Sequence, residues 1–194
     1  SLTPKQQALD LQPILTSAAA GGERSGYRGI RNAPHDQGLL NQAVLKVCAR
    51  GIEKGEGASH AFEIRNYDRS VGATLAGKIA QNHGRKGLPG TPFDLSFTGS
   101  AGQSFGVWNT RGMNLSLEGD ANDYIGKGIC GAKLIVYPPK DAHSDLIADQ
   151  NMIVGNVAFY GATSGEAFIS GVAGERFCVR NSGVHTVIEG IGDH

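Results

Sequence analysis

Gly126-Lys127-Gly128-Ile129-Cys130-Gly131 carries the G-x-G-x-x-G spacing with which a tight turn lays backbone amides against the pyrophosphate of a dinucleotide. That chemistry needs a strand before the glycines and a helix after them, so that phosphate meets a helix N-terminus. Here the polar run Gly119-Asp120-Ala121-Asn122-Asp123 comes first, and the strand-like Leu134-Ile135-Val136-Tyr137 and two prolines follow. We read the motif as a structural turn. Gly126-Lys127 is no phosphate loop either. Six residues separate Gly119 from Gly126 where four are required, and Gly128 stands where Ser or Thr would hold magnesium.

Other reactive side chains are scattered. The histidines at 35, 60, 83, 143, 185 and 194 form neither HxH nor HExxH, and no G-x-S-x-G elbow presents a serine. Cys48, Cys130 and Cys178 are too far apart for a zinc spacing and read as reduced thiols. The acids Glu118, Asp120, Asp123, Glu166, Glu175, Glu189 and Asp193 fall at glycine-rich corners beside Arg176 and Arg180. There they are expected to accept hydrogen bonds from turn amides rather than act as a carboxylate pair. Arg65, Asn66, Asp68 and Arg69 are expected to form an internal ion-pair seam, with a partner-binding edge as the second reading. The sequence thus nominates no catalytic, cofactor-binding or metal-ligating residue.

The elements that carry these residues repeat. Phe97-Thr98-Gly99-Ser100-Ala101 returns in kind as Leu117-Glu118-Gly119-Asp120-Ala121 after 20 residues, and Ile169-Ser170-Gly171-Val172 returns as Ile188-Glu189-Gly190-Ile191 after 19. Such a step suits one coil of a parallel β-solenoid. The β runs expected are Leu95–Thr98, Met113–Glu118, Lys133–Tyr137, Ile153–Tyr160, Ala167–Ser170, Arg176–Arg180 and Val184–Glu189, each bounded by Gly, Asn, Asp or Ser. Residues 138–152 read as an inserted loop. Upstream, Thr3 and Pro4 start a short helix that Pro13 ends or bends. Residues 20–35 read as linker. Asp36 caps a helix over 37–49 with Leu39, Leu40, Ala43, Val44 and Val47 on its apolar face, closed by Gly51 and Gly55. His60–Arg65 alternates as a strand. Asp68 or Ser70 then caps a second helix, with Val71, Leu75 and Ile79 on one face and Gly84 as its stop.

The 194 residues hold 18 basic and 18 acidic side chains, a balance that argues against nucleic acid or an acidic membrane as partner. No apolar run nears the roughly 18–20 residues of a membrane span, and no leader pattern opens the chain, so the cytoplasm is the expected compartment. The 29 glycines follow no collagen triplet and are interleaved with Val, Ile, Leu and Phe, which speaks for an ordered fold.

Longer motifs resemble a known family. They are Ile-Arg-Asn-Tyr-Asp-Arg-Ser-Val-Gly at 64–72, Thr-Gly-Ser-Ala-Gly-Gln-Ser-Phe-Gly at 98–106, Gly-Asp-Ala-Asn-Asp-Tyr-Ile-Gly-Lys-Gly at 119–128, Tyr-Gly-Ala-Thr at 160–163, Ala-Gly-Glu-Arg-Phe-Cys-Val-Arg-Asn-Ser-Gly at 173–183 and Val-Ile-Glu-Gly-Ile-Gly-Asp at 187–193. Together they resemble the C-terminal GXGXG domain of glutamate synthase large subunits of the bacterial NADPH type, over nearly the whole chain. The resemblance implies a mainly β fold: a right-handed parallel β-helix over 61–194, truncated at its C-terminus, behind an N-terminal linker and helical appendage over 1–60. It implies a non-catalytic brace between the amidotransferase and FMN domains of one large subunit, with a small β subunit in the holoenzyme. That enzyme makes glutamate from glutamine and 2-oxoglutarate with FMN, iron–sulfur clusters and NADPH; this segment is expected to hold no cofactor and to be inactive alone. Ala132 and Ser164 stand where relatives carry glycine. The alternatives are a free-standing GXGXG subunit of a methylglutamate-synthase-like or formylmethanofuran-dehydrogenase-like assembly, and a small-molecule module using the 119–131 loop.

Overall fold

The computed structural model of the chain describes residues 3–16, 38–139 and 147–193. Two compact units divide it, residues 1–35 and 36–194. In the first unit, helix α1 (Pro4–Gln7) is capped by Thr3, whose side chain accepts from the Gln6 amide while the Gln6 side chain reaches back to the Thr3 amide. Pro13 does not end α1. It lies in the first turn of a second helix, α2 (Gln12–Leu15), where its missing N–H costs nothing.

In the second unit, α3 (Leu39–Lys54) buries Asn41, Val44, Cys48 and Ile52 at helical spacing. Asp36 and Gln37, expected to open it, lie outside the described residues. The buried stripe is rotated from the expected one: Leu39 and Val47 are exposed. The rotation is set by Asn41, whose amide donates to the Arg69 carbonyl and accepts from the Gly72 N–H, so this polar residue is buried and satisfied. Gly51 lies inside α3 rather than at its end, because a Cβ there would press on the Phe93 ring. Gly55, left-handed at φ 73°, closes it.

β1 (Ser59–Ile64) alternates as expected, with Phe62 and Ile64 turned inward. α4 (Ala73–His83) presents Leu75, Ala76 and Ile79 to the core, packs on α3, and stops at Gly84. Its N-cap is Gly72 at φ 99°, not Asp68 or Ser70. Asp68 instead accepts from the Arg65 amide in the preceding turn. Glu56 clamps the loop before the next strand by accepting from the Thr91 hydroxyl and amide. These two bonds, the hydroxyl's first, hold its carboxyl below the usual range.

The rest is a parallel sheet of β1, β2 (Phe93–Ala101), β3 (Met113–Ala121), β4 (Cys130–Tyr137), β6 (Ser164–Ala173) and β7 (Val184–Ile191), with short β5 (Met152–Val154) beside β3 and β6. Gly99 stands opposite Gly119, so the 20-residue repeat is the ladder register itself. The second repeat aligns only in part. Ile169 faces Ile188, but a bulge then sets Val172, not Gly171, opposite Gly190. Period-two alternation stacks like on like through the ladder: Leu95, Leu115, Leu134 and Ala167 form one buried file, and Phe97, Leu117, Val136 and Ile169 the next. Parts of the 138–152 loop lie outside the described residues; its last turn, Ala148–Gln150, leads into β5.

Candidate functional site

Two expected strands are not strands. Of Ile153–Tyr160 only the start joins β5, and Arg176–Arg180 is a turn. Both belong to a stack of turns that leaves the strands at the same place in each repeat. In each, left-handed residues alternate with ordinary ones: Ser104, Gly106 and Trp108; Tyr124, Gly126 and Gly128; Val157, Phe159 and Gly161; Arg176, Cys178 and Arg180. Ser70 and Gly72 form the first, shorter member. Alternation of φ sign turns successive N–H and C=O groups along the stack, and the turns pair accordingly. The Gly106 N–H donates to Val71 O, Gly126 to Phe105 O, Phe159 to Ile125 O and Cys178 to Ala158 O, all at 2.8–3.0 Å. In the return direction Ser104, Tyr124 and Val157 donate to Asp123, Asn156 and Glu175. Sequence periodicity missed the device because three members use larger residues (Trp108, Phe159, Cys178 and Arg180) where others use glycine. A non-glycine residue pays on the order of 1–2 kcal/mol in this conformation. Phe159 offsets it by complete burial.

The G-x-G-x-x-G stretch is the third of these turns. The Gly126 and Gly128 amides are already bonded to Phe105 and Tyr160 carbonyls, and β4 follows directly. A strand, not a helix, thus follows the glycines. Ala132 and Ser164 have no positive φ and carry their Cβ without strain.

The corner acids divide. Asp123 does serve a turn, accepting from the Asn156 amide at 2.7 Å, and Asn156 accepts from Glu175 in the same way. Asp120 accepts from the Ser100 hydroxyl instead, and Glu166 pairs with Lys133 at 3.0 Å on the open sheet face. The seam expected of Arg65, Asn66, Asp68 and Arg69 does not form. Arg65 meets Glu63 at 3.8 Å in solvent, Asn66 accepts from Asn122, and Asp68 bonds backbone. Glu63, Arg65 and Asn66 border a shallow open pocket of about 560 Å³ with Tyr67, Thr98 and Ser100. Among the described residues no group of three His, Cys, Asp or Glu side chains is placed to hold a metal ion. None of the described helices is long and apolar enough to cross a membrane. Besides Asn41, a second buried polar residue escaped the sequence reading: Asn109, with an amide that has no hydrogen-bond partner and lies against Gly72.

The thiols differ by burial. Cys48 is enclosed and burial raises its pKa to about 11. Burial also raises that of Cys178, opposed by hydrogen bonds from Thr186 and Asn181. Cys130 is exposed at the start of β4. Since the thiolate is the nucleophile, a maleimide at neutral pH should label Cys130 first and Cys48 only on unfolding. Peptide mapping of a time course checks this; early labelling of Cys48 would mean that the α3–α4 packing is wrong. Because the folded-state pKa of Cys48 lies above the unfolded one, its stabilising effect is whole below about pH 9 and is lost as pH rises toward 11.

With this geometry in hand, comparison with known proteins is specific. The GXGXG motif family matches residues 40–194. The chain is 47% identical over 190 residues to an NADPH glutamate synthase large chain from Bacillus subtilis, covering 98% of this chain and 12% of that protein. It is 46% identical over 196 residues to an NADH glutamate synthase from Schizosaccharomyces pombe, covering 98% and 9%. It is 43% identical over 194 residues to a chloroplastic ferredoxin-dependent glutamate synthase from Spinacia oleracea, covering 98% and 12%. The chain thus spans about a tenth of the length of the curated relatives it matches.

Proposed function

The chain belongs to the GXGXG motif family, and from that premise we propose that it is the GXGXG domain of a glutamate synthase large subunit and serves there as a rigid, non-catalytic brace. The observation that carries this reading is identity of 41–49% to glutamate synthases that differ in electron donor, NADPH, NADH or ferredoxin. A segment common to all three owes its sequence to something other than the donor. The parallel ladder, its near-constant step and the stacked turns support a right-handed parallel β-helix over 61–194, with 1–60 leading into it. Each layer bonds only to its neighbours, so the stack resists bending and keeps its two flanks at a set distance. Transfer of a reactive intermediate between two active sites needs that fixed geometry.

On this reading the flanking partners are the amidotransferase and FMN domains of the same subunit, with a small β subunit in the holoenzyme and the cytoplasm as compartment. FMN, iron–sulfur clusters and NADPH are bound elsewhere in the enzyme, and the segment itself is without cofactor and without activity. An immunoblot of source-cell extract with an antibody raised against this chain tests the reading. A band many times larger than 20.3 kDa is expected. A band near that mass would replace the brace with a separately encoded subunit. A stoichiometric yellow or brown chromophore on the purified chain would contradict the absence of a cofactor.

A further inference from the structure

Trp108 is the single tryptophan of the chain, it is left-handed at φ 56°, and it is 61% exposed. At the equivalent place the next two turns use Gly128 and Gly161, for which a positive φ carries no Cβ penalty. Phe159 shows what justifies a bulky residue in this conformation: it is wholly buried. Trp108 has no such compensation. Its indole lies across Gly128, where a Cβ would press on it, so a second position is committed to displaying it. Beside it the Lys127 ammonium sits over the Tyr124 and Tyr160 rings, 5.4 and 6.0 Å from their centroids. The last turn of the stack carries exposed Arg176 and Arg180, with the exposed acid Glu175 before them. Among the described residues no carboxylate lies within ion-pair distance of Lys127, Arg176 or Arg180.

We propose that this aromatic and basic ridge of stacked turns docks an acidic protein surface of another domain in the same polypeptide, with Trp108 as its central anchor. Tryptophan, tyrosine and arginine are the side chains that dominate interface energetics, because they bury large area with little loss of freedom. Cations around the anchor that have no carboxylate partner among the described residues select an acidic face and repel a basic one. A nucleic acid would offer the same negative charge, but the chain as a whole is neutral, with 18 basic and 18 acidic residues, and lacks the long-range field such a partner calls for. The proposal rests on the reading of this chain as one domain of a larger synthase.

Hydroxyl-radical footprinting of the intact natural polypeptide, read by mass spectrometry, tests it. The peptide holding Trp108 should be oxidised at least roughly tenfold more slowly in the native polypeptide than in the same polypeptide denatured, as for a fully covered anchor. The paired change K127E/R180E, with an unaltered thermal melt, should restore at least about half of that reactivity by setting acid against acid. If that pair disturbs the melt, Arg180→Glu alone is read instead. Native Trp108 reacting as fast as denatured would overturn the docking while leaving the brace untouched. Protection that the charge reversal does not alter would overturn the acidic partner. Protection that requires a separate polypeptide would leave the docking standing and overturn the single-chain reading.

Discussion

Gly119→Val should leave little folded protein. Gly119 stands in β3 at φ 147°, two residues before the strand ends, and it is buried directly opposite Gly99. A Cβ at this position would sit inside van der Waals contact of the Gly99 carbonyl oxygen, and one at Gly99 would do the same to Ile64 O. The carbonyls belong to successive layers, so one layer cannot yield without displacing the next. Strain and overlap act together, and a loss of more than about 4 kcal/mol is expected. That is a large part of the roughly 5–15 kcal/mol available to a folded domain. Urea unfolding followed by circular dichroism measures it, with soluble yield as the coarser readout. The control is Gly77→Ala. Gly77 lies in α4 with nothing within 4 Å of the new methyl, so helix propensity should raise stability by about 0.5–1 kcal/mol. A midpoint for Gly119→Val equal to that of the parent would sink the close approach of Gly119 to Gly99 described here.

Phe97→Ala should be the next most damaging change, at about 3–5 kcal/mol. Phe97 is 1% exposed. Its ring stacks on Phe62 of β1 with centroids 5.5 Å apart and meets the edge of Phe105, in the adjoining turn, at 5.3 Å. The residue thus joins two strands and one turn, and alanine would open a void bordered by all three. Repacking cannot close it readily, because the neighbours Leu117 and Leu95 are themselves held by the ladder. A double cycle with Phe105→Ala isolates the ring pair, for which a coupling of about 0.5–1.5 kcal/mol is expected. Additive losses would mean that the two rings are not in contact.

These two sites also mark where sequence reasoning reaches. Gly99 and Gly119 were legible because their neighbourhoods recur 20 residues apart and a ladder carries that step into space. The alternating strands β1, β3 and β7 and the helix stop at Gly84 were legible for the same local reason: period two, period 3.6 and the glycine preference for positive φ act within a few residues. The strand that follows the Gly126–Gly131 stretch was legible too.

What the sequence alone determined about this protein is therefore its repeat, the strands β1, β2, β3, β4, β6 and β7, and membership in a family through long specific motifs. The tertiary structure decided the rest. Val157, Phe159, Arg176 and Cys178 read as strand because their types favour strands, yet neighbouring turns hold them left-handed through hydrogen bonds that no local pattern announces. Arg65 and Asp68 were read as a seam from proximity in sequence, whereas Asp68 bonds the Arg65 amide and the Arg65 side chain stands in solvent. Asn41 turned α3 away from its most apolar stripe because two backbone partners, at Arg69 and Gly72, wait some thirty residues downstream. Trp108 drew no reading from its sequence neighbourhood, and the stack alone places it outward on Gly128. In each case the deciding partner lies in another layer, and the free energy of a contact depends on where that partner is, which a linear pattern does not encode.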